Sequence, residues 1–501
     1  MKRSAKLTAA VGAATRFYPA LFLIAFVLDE AVSNGVALAA AYRAIPVAVF
    51  GAIVIVLAGM LLTRHHGRGP FLAMAAILAL LAGDGPLPLL FSAAILVVLY
   101  VDLRLTRIGR SSVPWPDVNR GLTAMGLALV LVVWLPSIAP AQLAAAPSVP
   151  ELAAPGAIAR PDIYLVLLDG LGRPDVLAEH YGQDSTGFVA ELERRGFTVA
   201  TKSRSNQATT GLAITTMLNA KHVTDLGFSP TGLLDARELS PALQHNRAFA
   251  FMAGAGYETI AVSSGYELVS LRSADRFIDT GELNELELGV IGQTALEPAF
   301  NAVVGDLKSD QIRARALAMV PAVRALAAEP AGKPRFVFVH FPLPHPPFVL
   351  DRDCNPILGG ESIYIVGADG TPRKPPERIA YETAVTAGQV TCAEKLAVQM
   401  VDGILAGASS SAVVIVFSDH GPETRLNWFA PEPEPIRERI ANLFAARTPG
   451  HPGLFPDDIT LVNVLPDLFR PYFGVDLGQQ PNTSFFKMPG VGLVDVEAIG
   501  K

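Results

Sequence analysis

The sequence predicts a protein of two parts: an N-terminal bundle of transmembrane helices, followed by an α/β domain with a mostly parallel central sheet flanked by helices. Composition indicates the first part, since charged residues make up only 17% of the chain and hydrophobic residues 51%, and the apolar excess lies before residue 140. Short apolar runs that end in Asp or His and alternate with helical segments indicate the second. We therefore expect a transmembrane domain over residues 1–140, a linker over 141–160 and the α/β domain over 161–501.

Five segments are candidates for transmembrane helices. Residues 44–63 and 121–140 carry no charge over twenty positions each, which is enough to cross a hydrocarbon core of about 30 Å. Residues 17–28 and 85–101 are two further candidates, and residues 70–83 are short enough for a tilted or re-entrant segment. The acidic pair Asp29-Glu30 follows the first candidate. It lies either inside the membrane, where charge is costly and often functional, or at the outer interface of the membrane.

The distribution of basic residues predicts the orientation of this bundle. With five spans and the N-terminus inside, ten Lys and Arg residues fall on the inner side and only Arg43 on the outer side, as the positive-inside rule requires. Four spans would place the α/β domain in the cytoplasm or invert the asymmetry. We expect a multi-pass protein of the inner or plasma membrane, with its α/β domain in the periplasm or outside the cell, rather than a secreted protein with a cleaved signal peptide.

Two stretches of the second part share one design. Residues 161–170 and 412–421 are each an apolar strand followed by an aspartate and a glycine. Because the carboxyl ends of parallel strands meet at one edge of a sheet, Asp169, Asp419 and His420 can converge there. Two carboxylates and an imidazole suit a divalent metal. For either stretch alone, an ordinary turn after the strand is the simpler interpretation.

Two further motifs lie between these stretches. Residues 204–212 lead into an apolar helical segment, and a threonine at a helix N-terminus lies where free N–H groups favour an anion, although it can also be an ordinary cap. Residues 336–348 form a third apolar strand that runs into His340 and His345 in a proline-rich loop. A neutral imidazole there can bind a metal or a phosphoryl oxygen, or can simply cap the loop.

Taken in order, the four motifs resemble the alkaline phosphatase superfamily in its sulfatase-like branch, which includes lipoteichoic acid synthases, lipid A phosphoethanolamine transferases and arylsulfatases. The resemblance covers roughly residues 160–485 and implies an alkaline-phosphatase-like fold. It also implies one divalent metal, Mn or Zn, with Mg or Ca as alternatives. The metal ligands that it assigns are Asp169, Thr210, Asp419 and His420.

The resemblance makes Thr210 the nucleophile, with Thr209 as the alternative if the loop slips by one residue, and makes His345 a contact of the phosphoryl group. Four other residues near the motifs are possible contacts of an anionic substrate: His340, Arg173, Lys202 and Arg204. Acidic and histidine residues that could hold a second metal lack the Asp-x-x-x-His spacing of two-zinc phosphatases, so we expect one essential metal. These residues are Asp351, Asp353, Asp458 and His451.

One departure from the family pattern favours phosphoryl transfer over sulfate ester hydrolysis. Arylsulfatases carry a Cys/Ser-x-Pro-x-Arg motif whose first residue becomes formylglycine, whereas the matching region here has threonine and lacks that proline and arginine. We therefore expect a membrane-anchored transferase that moves phosphoglycerol or phosphoethanolamine from a phospholipid to an extracytoplasmic glycan or lipid. A phosphatase or phosphodiesterase is the alternative, and a non-catalytic glycan- or partner-binding protein a further one.

Charge and cysteine content complete the expectations. The net charge of −6 argues against nucleic acid as a partner. Cys354 and Cys392 both fall in the second domain, where an oxidising compartment would allow a disulfide between them. Two free buried cysteines are the alternative, since sequence does not show their proximity.

Overall fold

The structure is a computed structural model of the 501-residue chain and divides into two units. The residues it describes are 14–33, 38–81, 86–110, 113–138, 160–229, 231, 236–295, 297, 301–302, 305–357, 365–366, 372–488 and 490–499. The first unit comprises residues 1–141 and 283–305, and the second comprises 142–282 and 306–501. Residues 283–305, which the sequence analysis assigned to the α/β domain, therefore belong to the first unit.

Five α-helices form the N-terminal part of the first unit, each at one of the five candidate segments. They are α1 (Tyr18–Ser33), α2 (Ala44–Thr63), α3 (Arg68–Leu80), α4 (Pro86–Arg107) and α5 (Trp115–Ile138). Within the described residues, three helices are long and apolar enough to cross a membrane, namely Ala40–Thr63, Leu87–Arg107 and Trp115–Trp134. Of the other two, α1 contains the acidic pair and α3 has only 13 residues.

A buried polar cluster joins one end of three of these helices. Asp102, near the end of α4, accepts hydrogen bonds from Arg68 Nε at 2.7 Å and from Trp115 Nε1 at 3.2 Å. Arg68 begins α3 and Trp115 begins α5. A buried carboxylate needs such partners, because an unpaired charge away from water is strongly destabilising. The start of α3, the end of α4 and the start of α5 therefore lie at the same face of the unit.

Residues 284–295 pack at the other face of the first unit. Helix α11 (Glu285–Gly292) begins with a capping box between Asn284 and Glu287, and Leu286 is buried in a small apolar cluster with residues of α1 and the α1–α2 turn. Arg43 donates two hydrogen bonds to the Glu287 carboxylate at 2.8 and 2.5 Å. Farther along, the Ala295 N–H donates to the carbonyl of Leu80, the last residue of α3, at 2.7 Å.

The second unit is built on a seven-stranded sheet of order β2-β9-β8-β1-β5-β3-β4. Its strands are β1 (Ile163–Leu168), β2 (Thr198–Val199), β3 (Glu258–Ser263), β4 (Arg276–Asp279), β5 (Arg335–Phe341), β8 (Val413–Phe417) and β9 (Phe444–Arg447). The run from β8 to β4 is parallel, whereas β9 pairs antiparallel with both β8 and β2. Two hairpins lie outside the sheet: β6 (Ile365–Val366) with β7 (Pro372–Arg373), and β10 (Phe485–Met488) with β11 (Gly492–Asp495).

Helices cover both faces of the sheet, which confirms the predicted α/β fold class. They are α6 (Pro174–Tyr181), α7 (Thr186–Arg194), α8 (Thr210–Asn219), α9 (Ala236–Gln244), α10 (Arg247–Gly254), α12 (Leu307–Ala328), α13 (Pro376–Gly407), α14 (Pro433–Ile440) and α15 (Val464–Phe473). Alternate residues of β1 face opposite cores: Leu165 and Leu167 pack with α8, whereas Tyr164 and Val166 pack with α12 and α13. Burial on both faces explains why β1 is apolar throughout.

The two cysteines are joined in the structure. Cys354 lies in the loop that follows the histidine-rich segment, and Cys392 lies in α13. Their Cα atoms are 5.2 Å apart, within the range that a disulfide requires. The bridge fastens that loop to the longest helix of the second unit.

Glu394, two residues after Cys392, has a buried carboxyl group with few hydrogen-bond partners. We expect its ionisation to destabilise the folded protein in a pH-dependent way. Its Oε1 has no hydrogen-bond partner within the described residues, and burial raises its pKa from 4.5 to about 7. Since the folded pKa exceeds the unfolded one, folding becomes less favourable as the pH rises from about 4.5 through 7. We expect Glu394→Gln to raise the free energy of unfolding by about 3 kcal/mol at pH 8 and to leave it nearly unchanged at pH 4.

The measurement is the thermal unfolding midpoint of the purified full-length protein at both pH values. Glu193→Gln is the matched control, since Glu193 is exposed on α7. Its effect on the thermal unfolding midpoint should be the same at both pH values. Equal shifts for Glu394→Gln at pH 4 and pH 8 would contradict the assignment.

Candidate metal centre

The predicted metal ligands lie at the carboxyl edge of the sheet, because neighbouring parallel strands end there. Asp169 directly follows β1, and Asp419 and His420 follow β8. The two strands pair with Leu167 opposite Phe417, so the residues beyond their ends emerge side by side. This register brings together side chains that are 250 positions apart in the sequence.

His420 Nε2 is the point at which the other three predicted ligands converge. It lies 3.1 Å from Thr210 Oγ1, 3.0 Å from Asp419 Oδ2 and 3.8 Å from Asp169 Oδ1. The opposite ring nitrogen, Nδ1, lies 3.1 Å from the Gly421 carbonyl oxygen. Because a carbonyl oxygen only accepts, Nδ1 carries the proton and Nε2 has the lone pair that a metal needs.

Two buried carboxylate oxygens indicate that the site fits a cation. Asp169 Oδ1 and Asp419 Oδ2 have no hydrogen-bond partner within the described part of the chain, and such atoms are destabilising unless something compensates their charge. Burial alone raises the pKa of Asp419, but His420 and the Thr210 hydroxyl outweigh it and hold that pKa well below its usual range. Ionised carboxylates, a hydroxyl and an imidazole nitrogen suit Zn or Mn.

Thr210 is the first residue of α8, and Thr209 is the N-cap. The Thr209 side chain makes no cap hydrogen bond, whereas the Thr210 hydroxyl faces His420. The first N–H groups of a helix have no partner within the helix. Thr210 therefore lies beside both the carboxylates and a set of backbone donors suited to an anion.

His345 lies next to the predicted ligands. Its ring centroid is 5.9 Å from that of His420, and one ligand atom from each of Asp169, His345 and His420 lies within 4.8 Å of the other two. Its Nδ1 is 2.7 Å from the Pro346 carbonyl oxygen, so Nε2 is left for a ligand. Burial lowers the pKa of His345, but the negative charges of Asp169 and Glu423 raise it overall.

His340, a possible substrate contact, is buried behind the predicted metal ligands. The side chain is 1% exposed, and both ring nitrogens are engaged inside the protein. Its Nε2 lies 2.9 Å from Asp169 Oδ2 and its Nδ1 lies 2.9 Å from Ser264 Oγ. Both nitrogens are therefore engaged by protein groups in this structure, and a substrate contact at His340 stays a prediction.

The basic residues proposed to face an anionic substrate are paired with acids elsewhere. Arg173 donates to both carboxylate oxygens of Asp175 at 2.7 and 2.8 Å. Arg204 lies 3.4 Å from Glu497, and Lys202 lies 3.7 Å from Asp457. These three side chains form ion pairs with acids other than the predicted metal ligands, and their contact with a substrate stays a prediction.

Arg439 is a residue of the site that the sequence analysis missed. It belongs to α14, and its buried guanidinium donates from Nε to the Ala208 carbonyl at 2.9 Å and from Nη1 to the Gly421 carbonyl at 2.9 Å. Nη2 lies 3.0 Å from His420 Nε2. The same guanidinium lies over the Trp428 ring at 5.5 Å. Arg439 thus joins the loop before Thr210 to the loop that carries His420.

Glu423 and Arg439 line a small pocket together with His345. Glu423 is 3.7 Å from Arg439 and accepts a hydrogen bond from Trp428 Nε1 at 3.2 Å. Burial raises the pKa of Glu423, but Arg439 and neighbouring positive groups lower it to about 2. Glu423 follows the Asp-His-Gly motif by two residues, which was the one available signal; Arg439 has no such signal on a helix rich in Glu, Arg and Pro.

The chain is similar to proteins of one known family and to several solved structures. A family model described as Sulfatase matches residues 161–439. Among solved structures, the zinc complex of the C-terminal periplasmic domain of EptC from Escherichia coli is 15% identical, covering 70% of this chain and 98% of that one with a TM-score of 0.46. The phosphonate monoester hydrolase of Agrobacterium radiobacter is 16% identical, covering 66% and 80% with a TM-score of 0.44.

A putative sulfatase from Bacteroides thetaiotaomicron is 12% identical, covering 66% of this chain and 78% of that one with a TM-score of 0.43. No curated protein sequence matches this chain at the significance required. The family match, over residues 161–439, spans more than half of the 501 residues. The chain therefore belongs to the sulfatase family, within the alkaline phosphatase superfamily.

Proposed function

We propose that this sulfatase-like enzyme transfers phosphoryl groups with Thr210 as its nucleophile. One observation carries the proposal: the Thr210 hydroxyl lies 3.1 Å from His420 Nε2 at the N-terminus of α8, beside two buried carboxylates. A threonine cannot form the aldehyde hydrate that formylglycine sulfatases use. A side-chain oxygen that attacks phosphorus directly is the chemistry that remains for this position.

A divalent metal would be held by Asp169, Thr210, Asp419 and His420, with His345 close enough to contribute. Such a cation would favour ionisation of the Thr210 hydroxyl and would balance negative charge on the phosphoryl group. Zn and Mn are the proposed metals, because the donors are oxygen atoms and an imidazole nitrogen.

The groups of the protein have separate roles in the proposed reaction. Thr210 Oγ, after losing its proton to solvent, attacks the phosphorus of the donor, the bond from phosphorus to the lipid oxygen breaks, and the phosphorus with its head group stays on Thr210 as a phosphodiester. The N–H groups at the start of α8 bind phosphoryl oxygens. His345 Nε2 hydrogen-bonds a phosphoryl oxygen or gives a proton to the leaving oxygen. The Arg439 guanidinium, fixed by two carbonyl groups, adds positive charge next to the site.

A second substrate then attacks the phosphorus, and the bond from phosphorus to Thr210 Oγ breaks. Attack by an acceptor hydroxyl makes the enzyme a transferase, and attack by water makes it a hydrolase. The apolar helices of the first unit favour the transferase, since they place the enzyme beside phospholipids. The proposed donor is a phospholipid that supplies phosphoglycerol or phosphoethanolamine, and the proposed acceptor is an extracytoplasmic glycan or lipid.

The contacts within the first unit support five membrane crossings with the catalytic part outside. Residues 283–295 contact Arg43, between α1 and α2, and Leu80, at the end of α3. Those two turns therefore lie at one face, whereas Arg68, at the start of α3, lies at the other with the end of α4. Helix α3 thus runs from one face to the other despite its short length. With basic residues inside, the face that carries residues 283–295 is the outer one.

The nucleophile is tested by substitution of both threonines. Thr210→Ala is expected to lower turnover at least about 1,000-fold because the attacking oxygen is lost, and Thr210→Ser should keep part of the activity. Thr209→Ala should cost below about 1 kcal/mol of stability, because the side chain makes no cap bond. The assay follows head-group release from phospholipids labelled in glycerol or ethanolamine, with mass spectrometry of the quenched enzyme. Phosphate trapped on Thr209, or normal turnover by Thr210→Ala, would refute the assignment.

The metal site is tested by Asp419→Asn, which keeps the shape of the side chain and removes its charge. We expect affinity for Zn or Mn to fall more than about 100-fold, since even partners of metal ligands account for 10- to 100-fold. Asp458→Asn is the matched control, because Asp458 is exposed. Affinity is measured by competition with a chelating dye on purified protein. Unchanged affinity in Asp419→Asn would remove Asp419 from the ligand set.

The topology is tested with single cysteines and a thiol reagent that does not cross membranes. Tyr42→Cys and His66→Cys replace exposed side chains at opposite ends of α2. Five crossings predict that position 42 reacts in intact cells and position 66 reacts only after lysis. If α1 and α3 do not cross, the two results exchange, because position 42 then lies inside and position 66 outside.

A further inference from the structure

Three adjacent parallel strands place a chain of polar side chains behind the metal centre. In the sheet β5 lies between β3 and β1, with Val339 opposite Val262 of β3 and His340 opposite Leu167 of β1. Ser264, the residue after β3, and Asp169, beyond the end of β1, therefore reach His340 from either side. Ser264 Oγ lies 2.9 Å from His340 Nδ1, and Asp169 Oδ2 lies 2.9 Å from His340 Nε2.

The chemistry of the partners fixes where each proton lies. An ionised carboxylate only accepts, so His340 Nε2 carries the proton and donates it to Asp169 Oδ2. Nδ1 then has a lone pair and accepts the hydroxyl proton of Ser264. Ser264 Oγ in turn accepts the Tyr266 N–H at 3.2 Å. Every donor in this chain meets an acceptor, and its direction runs from the backbone of Tyr266 to Asp169.

The two carboxylate oxygens of Asp169 have different surroundings. Oδ2 is held by His340, whereas Oδ1 has no hydrogen-bond partner in the part of the chain that the structure describes and lies 3.8 Å from His420 Nε2. Without His340, the carboxylate could rotate about its Cβ–Cγ bond and present either oxygen or both. Both ring nitrogens of His340 are engaged by protein groups, and Ser264 is also buried.

We propose that Ser264 and His340 are positioning residues that present Asp169 Oδ1, and only that oxygen, to the metal. This inference rests on the proposed metal site. Hydrogen bonds to a metal-binding side chain orient the ligand, and their loss commonly weakens metal affinity by 10- to 100-fold. In this site the supporting hydrogen bond goes from a histidine to a carboxylate ligand, and the serine selects the tautomer of that histidine.

The experiment compares metal affinity with stability in the purified full-length protein, with Zn and Mn as probes and a chelating dye as competitor. His340→Ala is expected to weaken binding about 10- to 100-fold. His340→Gln should recover much of that loss, because its amide nitrogen extends to about the position of Nε2 and donates to the same oxygen. The thermal midpoints of the two metal-free variants should be similar, since both lose the ring. Equal affinities for the Gln and Ala variants, or a wild-type affinity for both, would overturn the proposal.

Ser264→Ala tests the tautomer without removing the imidazole, and so remains informative if the His340 variants fail to fold. We expect the nitrogen NMR signals of His340 in the metal-free wild type to report a proton on Nε2 alone, and Ser264→Ala to give a mixture of tautomers with weaker metal binding. An unchanged tautomer and affinity would show that Ser264 plays no part. His222→Ala is the matched control, because His222 is also buried and its Nε2 lies 2.9 Å from the Pro481 carbonyl oxygen; its metal affinity should equal that of the wild type.

Two outcomes separate this inference from the proposed metal site. If Asp419→Asn leaves affinity unchanged along with His340→Ala, the metal site itself is wrong. If Asp419→Asn weakens binding and His340→Ala does not, the site stands and the positioning role of His340 fails.

Discussion

The pairing of β1 between β5 and β8 is the constraint on which the site depends. All six residues of β1 are fully buried, so both of its faces must meet apolar helices and its backbone groups must be satisfied by the two neighbouring strands. A slip of one residue would turn Leu165 and Leu167 from the α8 side to the α12 side, and every other residue with them. Burial on both faces therefore fixes the register. The register in turn fixes which residues emerge together at the carboxyl edge.

The parts of the site that were predictable are those in which a local pattern carries the signal. Asp169, Asp419 and His420 each follow a short, wholly apolar strand, and a polar residue at such a position is noticeable in a sequence with few charges. The apolar helix after residues 204–212 indicated a threonine at its start, and the family resemblance selected Thr210. In each case the fold brings together strand ends or a helix start, and these are features that periodicity and turn residues indicate.

The remaining residues depend on contacts between distant segments, which local sequence does not encode. Arg439 lies on a helix of alternating charge and proline, where an arginine is expected to face water; it is buried because Gly421 lets α14 approach so closely that a Cβ atom at position 421 would lie 2.6 Å from the Glu438 carbonyl oxygen. The sequence marks His340 only as a histidine near a strand end, and its hydrogen bond to Asp169 depends on the pairing of β5 with β1. Residues 283–295 read in the sequence like any helix-containing loop, and contacts such as the pairing of Glu287 with Arg43 reveal which unit they join.

That pairing has a consequence for how the catalytic part can be handled in isolation. A polypeptide that starts after the linker keeps residues 283–305 but loses α1, α2 and α3. Leu286 would then present an apolar surface to water, and the Glu287 carboxylate would lose both hydrogen bonds from Arg43. Solubility of such a fragment would fall for reasons unrelated to its active site. Shortening the chain between β4 and α12, or replacing Leu286 by a polar residue, is the remedy that the structure recommends for preparing the enzyme without its membrane helices.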